Sequence, residues 1–129
     1  MIPYQFEYKR AKSLSDAQAL LAANPDAKLL AGGQTLIPTM KMRLANPSAL
    51  IDISKLSELS FIRVSGDTLT IGAATTHGAI AASADVRRVI PALAHMAAHI
   101  GDPAVRAVGT IGGSLANNDP AADYPADVL

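Results

Sequence analysis

The chain contains no cysteine and no tryptophan, and only 4% of its 129 residues are aromatic. Without cysteine there is no disulfide framework, which argues against a stapled secreted domain. The chain also cannot ligate an iron–sulfur cluster through thiolates, so any such cluster must sit on a partner. Neither sign of charge is in excess. Eleven basic and eleven acidic residues cancel, so no basic footprint points to nucleic acid or to an anionic membrane. No run of about 18 apolar residues is present, so no membrane span is expected. The opening Met1-Ile2-Pro3-Tyr4-Gln5-Phe6-Glu7 lacks the basic-then-apolar pattern of a signal peptide. These absences predict a soluble, cytoplasmic protein. Two common nucleotide signatures are missing as well. With neither Gly-x-x-x-x-Gly-Lys-Ser/Thr nor Gly-x-Gly-x-x-Gly, a P-loop and a Rossmann dinucleotide site have no support.

What is present suits a packed core. Half of the residues are hydrophobic and 17% are charged, a balance far from that of disordered chains. The length fits one ordinary domain or two small subdomains. Asp123-Tyr124-Pro125-Ala126-Asp127-Val128-Leu129 reads as an apolar helix that stops after it has begun, as expected of a fragment.

Patterning predicts an α+β fold. Short strands are expected over residues 6–9, 28–31 and 49–53, with a helix over 13–24 between the first two. Ser15 and Gln18 match a capping box for that helix, and Asn24-Pro25 closes it. Residues 36–44 form a helical turn interrupted at Pro38. A hairpin is expected over residues 61–71 around Ser65-Gly66-Asp67. A short helix capped by Thr75 or Thr76 follows over 76–82. A longer one over 85–100 is kinked or restarted at Pro91 and ended by Gly101. A brief strand over 109–111 precedes a second glycine loop. The expected subdomains are residues 1–55 and 56–129.

Two segments carry the candidate chemistry. A phosphate suits a nest of backbone N–H groups, and such a nest needs glycine for positive φ and for close approach. Ala31-Gly32-Gly33-Gln34-Thr35 supplies this directly after a strand, and Gly109-Thr110-Ile111-Gly112-Gly113-Ser114 repeats the chemistry. The two could share one diphosphate. Taken alone, each reads more readily as a tight turn, since paired glycines are common punctuation. Only the two together, each followed by a hydroxyl side chain, bring the readings level. Further on, Asp119 before Pro120 reads as a helix cap, and Asp123 is placed to accept from a ribose or ribitol hydroxyl. His95 and His99 fall four apart on one helix but lack a third ligand, so they are read as packing residues and no metal is expected. His77 is read as a helix-start residue rather than a base. No nucleophile–His–carboxylate set or carboxylate pair is nominated, so no catalytic residue is assigned.

Several ordered motifs together resemble one family. They are Leu29 to Pro38 (LLAGGQTLIP), Ile71 to His77 (IGAATTH), Gly101 to Arg106 (GDPAVR), Gly109 to Asn117 (GTIGGSLAN) and Asp119 to Asp123 (DPAAD). The chain resembles the FAD-binding medium subunit of molybdenum hydroxylases, represented by aerobic carbon monoxide dehydrogenase and xanthine dehydrogenase. The likeness covers essentially the whole chain. It implies a vanillyl-alcohol-oxidase (PCMH)-like FAD-binding domain of two small α/β subdomains, the second truncated. It further implies that the two glycine motifs wrap the FAD pyrophosphate. By position, Leu30, Ala31, Gly32, Gly33, Gln34, Thr35, Leu36 and Ile37 would form the first contact, and Thr110, Gly112, Gly113 and Ser114 the second. Asn117, Asp123 and the stretch with Ala74 and Thr75 would add further contacts. The implied role is electron transfer. Substrate would be hydroxylated at a molybdenum–pterin cofactor on a large partner subunit. Electrons would pass through two [2Fe–2S] clusters on a small partner subunit to FAD, within a dimer of heterotrimers. Two other readings remain: a non-catalytic phospho-ligand-binding or scaffold domain without flavin, and a free-standing FAD oxidase of the same fold.

Overall fold

The computed structural model describes residues 1–119 and Tyr124. The chain divides into two compact units, Met1–Glu58 and Leu59–Leu129.

The first unit is a three-stranded parallel sheet with short connecting helices. Its elements are β1 (Glu7–Arg10), α1 (Leu14–Ala23), β2 (Lys28–Leu30), α2 (Leu36–Lys41) and β3 (Ala49–Asp52). The strand order is β1-β3-β2, so β3 pairs on both sides and is the most enclosed strand. All four of its residues are buried, Ile51 completely. That explains the apolar run Ala49-Leu50-Ile51, since a parallel strand covered on both faces reads as continuous rather than alternating. The register puts Leu30 beside Asp52 at the carboxyl end of the sheet. The chain after Leu30 therefore leaves at the sheet edge where α/β folds bind ligands.

Two local readings are corrected here. The cap of α1 is Ser13, whose Oγ accepts from the N–H of Asp16 at 3.0 Å, while the Asp16 carboxylate accepts from the N–H of Lys12 at 2.8 Å. This reciprocal pair displaces the expected Ser15–Gln18 box, because the helix begins one residue after Ser13. Pro38 does not interrupt α2. It is the third helical residue, where an N–H would lack an intrahelical acceptor in any case.

The second unit contains a hairpin and a helical layer. A single 3₁₀ turn, Ser57–Leu59, leads into it. Strands β4 (Ile62–Ser65) and β5 (Thr68–Ile71) pair antiparallel, with Ser65 opposite Thr68. The turn is thus the two residues Gly66-Asp67, a glycine-containing hairpin loop. Then follow α3 (His77–Ala82), α4 (Ala84–Val89), α5 (Pro91–Ala98), α6 (Pro103–Val108) and α7 (Ile111–Asn117). Thr76 caps α3 through Ala79 N–H, and Ser83 caps α4 through Val86 N–H. Pro91 is the first residue of α5, so the expected long helix is two helices. The core of this unit is Ile80, Val86, Leu93, Ala94, Ala97, Ile111 and Tyr124, with Ile62, Leu69 and Ile71 of the hairpin packed against it. The expected α+β class is borne out. Among the described residues no helix is long and apolar enough to cross a membrane.

Candidate FAD-binding segments

In the first unit, strand β2 ends at Leu30 and α2 starts at Leu36, so residues 31–35 form the connection. Gly33 has φ +72°, a left-handed conformation that a side chain adopts only under strain. A Cβ there would also lie 3.0 Å from Ile37 Cγ1 and 3.1 Å from Leu30 Cδ1. Among the described residues, the N–H groups of Gly32, Gly33, Gln34 and Thr35 donate to no acceptor. Four successive amides therefore remain available, and all four residues are at least partly exposed. Their carbonyls and side chains serve the loop itself. Gly33 O accepts from Ile37 N–H, Thr35 O accepts from Thr39 N–H and Oγ1, and Gln34 Nε2 donates weakly to Gly32 O at 3.4 Å. A backbone amide cradle beside a glycine is the donor set that a phosphate requires. These residues fit a pyrophosphate.

Directly beside the loop, the buried carboxylate of Asp52 closes the sheet. Its Oδ1 accepts from Ser54 N–H at 2.8 Å and Ser54 Oγ at 2.6 Å. Its Oδ2 accepts from the Tyr8 hydroxyl across the β1–β3 pair. Burial pushes this carboxyl up, but the hydrogen bonds from Ser54 and Tyr8 outweigh it and leave it below its ordinary value. The same bond raises the Tyr8 hydroxyl above its ordinary value. Sequence reading missed this network. The only signal was an acidic residue at the end of an otherwise apolar strand.

In the second unit, the second glycine motif is not a loop. Residues 111–117 are helix α7, and Thr110 is its cap, with Oγ1 accepting from Gly113 N–H. The N–H groups are spoken for: Ile111 donates to Thr75 O, Gly112 to Ala73 O and Ser114 to Thr110 O. The expected strand over 109–111 shrinks to one antiparallel bridge between Thr76 and Thr110. The glycine at 112 is needed for packing, since a Cβ would lie 2.6 Å from the Ala73 carbonyl oxygen. What this segment offers a ligand is side chains. The Thr110 hydroxyl is buried and Ser114 is half-buried, whereas Asn117 is exposed at the last turn.

Ala74 and Thr75 are both buried. The Thr75 hydroxyl accepts from Phe61 N–H and donates to Phe61 O, so its proton is already committed. Both residues line a pocket of about 270 Å³ with Ser60, Phe61, Ile62, Thr76 and Ala79. His77 is the first residue of α3 and is buried. Its Nδ1 lies 2.9 Å from the Tyr124 hydroxyl, and burial lowers its pKa. His95 and His99 stack at 4.1 Å between centroids. Among the described residues no three His, Cys, Asp or Glu side chains group as a metal site. Asp123 lies outside the described residues.

A family model described as the FAD binding domain in molybdopterin dehydrogenase matches residues 4–129. The carbon monoxide dehydrogenase medium chain of Hydrogenophaga pseudoflava is 49% identical over 127 residues, covering 98% of this chain and 44% of that protein. The glyceraldehyde dehydrogenase medium chain of Sulfolobus acidocaldarius is 42% identical over 125 residues, covering 97% of this chain and 44% of that one. Among solved structures, the carbon monoxide dehydrogenase from H. pseudoflava that lacks the Mo-pyranopterin moiety superimposes with a TM-score of 0.95. Sequence identity there is 50%, over 98% of this chain and 44% of that chain. The chain thus spans 44% of the length of each of these relatives. With a free amide row after a parallel strand, and a family match over nearly every residue, the chain belongs to the FAD-binding domain family of the molybdopterin dehydrogenases.

Proposed function

We propose that this chain is the FAD-holding part of the flavin subunit of a molybdenum hydroxylase. Electrons from two [2Fe–2S] clusters on a small partner subunit would leave through FAD to an external acceptor. Substrate would be oxidised at a molybdenum–pterin centre on a large partner subunit. The relatives' names, carbon monoxide and glyceraldehyde dehydrogenase medium chains, support an oxidoreductase. Because those names differ in substrate while the matched region is shared, substrate choice belongs elsewhere in the assembly. Bound FAD supplies a group that takes electrons singly and passes them on as a pair.

The observation that carries this reading is the row of uncommitted amides at Gly32, Gly33, Gln34 and Thr35 around a left-handed Gly33. In this proposal those N–H groups hold the pyrophosphate, with Leu30, Ala31, Leu36 and Ile37 shaping the loop. Thr110, Ser114 and Asn117 contribute side-chain donors, Gly112 and Gly113 keep the first turn of α7 close to its neighbours, and Ala74 and Thr75 contribute shape. Asp123 accepts from a sugar or ribitol hydroxyl. The absence of cysteine agrees with clusters carried by another chain.

The test is FAD titration of the full-length protein, followed by flavin fluorescence. Gly33→Val forces a side chain into a left-handed position between Ile37 and Leu30. Losing two charge-assisted amide bonds weakens binding by about a hundredfold. A folded Gly33→Val protein that binds FAD like the parent would remove the first loop from the site. A folded parent that binds no FAD would return the domain to a scaffold role.

A further inference from the structure

Asp52 is a buried carboxylate, 7% exposed, that none of the proposed cofactor contacts uses. Its place in the first unit is beside the chain that leads into the amide row. Asp52 pairs with Leu30 across β2–β3 and with Arg10 across β1–β3. Its carbonyl oxygen accepts from Ala11 N–H at 3.0 Å. The next residue, Ile53, donates its N–H to Leu30 O at 2.9 Å. That bond holds the chain where it leaves β2, and the uncommitted amides begin two residues further on, at Gly32.

The Asp52 side chain fixes the donor of that bond. Its Oδ1 accepts from Ser54 N–H at 2.8 Å, so the carboxylate closes a turn onto the backbone two residues on. Such a turn holds the peptide planes on both sides of Ile53, and with them the direction of the Ile53 N–H. The Ser54 hydroxyl donates to the same oxygen at 2.6 Å, and the Tyr8 hydroxyl donates to Oδ2. Leu30, in turn, backs the glycine of the loop. A Cβ on Gly33 would lie 3.1 Å from Leu30 Cδ1, with Ile37 Cγ1 at 3.0 Å on its other contact. Contacts therefore run without a break from Asp52 Oδ1 through the 52–54 turn, Ile53 N–H and Leu30 to the left-handed Gly33.

We infer that Asp52 is a positioning residue for FAD: through the 52–54 turn and Leu30, its Oδ1 holds the amide row of Gly32 to Thr35 in the shape that meets the pyrophosphate. The inference rests on the assignment of that row to FAD. Asp52 acts by ordering the loop before the ligand arrives, so that less freedom is lost on binding. The two carboxylate oxygens have separate tasks. Strand β3 lies between β1 and β2, so the Tyr8 bond to Oδ2 reaches away from the loop and serves the sheet. Affinity for FAD depends on Oδ1, whereas stability depends on both.

The experiment is a set of FAD titrations on the full-length protein, with urea denaturation of the FAD-free form alongside. Asp52→Ala removes both oxygens and weakens FAD binding by about tenfold. Asp52→Asn keeps a side-chain oxygen for Ser54 N–H, since asparagine forms the same turn. Its affinity stays within about twofold of the parent although the protein is less stable. Tyr8→Phe removes only the bond to Oδ2, and it too lowers stability while affinity stays within about twofold. In a Leu30→Ala background, Asp52→Ala adds less than about twofold, because the link from the turn to Gly33 is already cut. Should Asp52→Ala fail to fold, Asp52→Ser takes its place, with a loss of about threefold, since a hydroxyl closes such a turn more weakly. Parent-like affinity in the folded alanine or serine variant overturns the inference and leaves the amide row assigned to FAD. So does a tenfold loss in Asp52→Asn or Tyr8→Phe, or a full tenfold further loss in the Leu30→Ala background. Parent-like affinity in folded Gly33→Val overturns the assignment of the row and the inference with it.

Discussion

At the scale of single residues, the first unit is organised around two unlike features: a glycine in a left-handed turn and a carboxylate at the end of the buried central strand. Gly33 holds a left-handed turn that frees the amides around it. Asp52 sits at the end of the buried central strand, and its charge is met by Ser54 and Tyr8. Removing the charge of Asp52 leaves donors facing a weaker acceptor in a buried setting. Asp52→Asn is therefore expected to destabilise the protein by about 1–3 kcal/mol at pH 7, measured by urea denaturation. The pH dependence follows from the lowered carboxyl pKa. A group that binds its proton less tightly when folded contributes stability above its unfolded value, which is about 4. That contribution is lost as pH falls through the lowered folded value. The gap between parent and Asp52→Asn should thus narrow below about pH 4. A gap that stays constant down to pH 2.5 would contradict the network.

At the scale of elements, short helices depend on their caps, since none is long enough to be stable alone. Ser13 caps α1 with Asp16 returning the bond to Lys12. Ser13→Ala should lower stability by about 1 kcal/mol and Ser15→Ala by much less, as read from denaturant midpoints. Equal losses would show that the helix starts later than described. This pair also shows what was legible in the sequence. Element types came through well, because apolar runs such as Ala49-Leu50-Ile51 and breaks such as Asn24-Pro25 have one natural reading. Exact caps did not, because two serines two residues apart offer the same chemistry and only the emerging helix axis selects between them. The second glycine motif was misread for a deeper reason. Gly112 and Gly113 are turn formers in isolation, yet here Thr110 caps a helix that runs through both. Local preference gave way to contact with Ala73, a neighbour far away in sequence.

At the scale of the whole molecule, the site residues nominated from the sequence fall into different physical roles. Residues 32–35 carry free amides, whereas 111, 112 and 114 have theirs bound into the chain. Thr75 is structurally occupied and Asn117 is open to a ligand. None of that division was visible in the sequence, since both motifs show the same pattern of paired glycines and hydroxyls. The hydrogen-bonded pairs Tyr8–Asp52 and His77–Tyr124 were equally hidden, each joining residues more than 40 positions apart. A ligand that stabilises only the folded state raises the melting temperature with its concentration, but melting alone does not say which groups it meets.

The most direct measurement is residue-resolved amide hydrogen exchange on the full-length protein, with and without FAD. The prediction is that the N–H groups of Gly32, Gly33, Gln34 and Thr35 exchange rapidly without FAD and become protected when it binds. Those of Ile111, Gly112, Gly113 and Ser114 should be protected in both states, because Thr75, Ala73 and Thr110 already accept from them. Protection at 32–35 without FAD, or no change there at saturating FAD, would contradict the amide cradle on which the account rests.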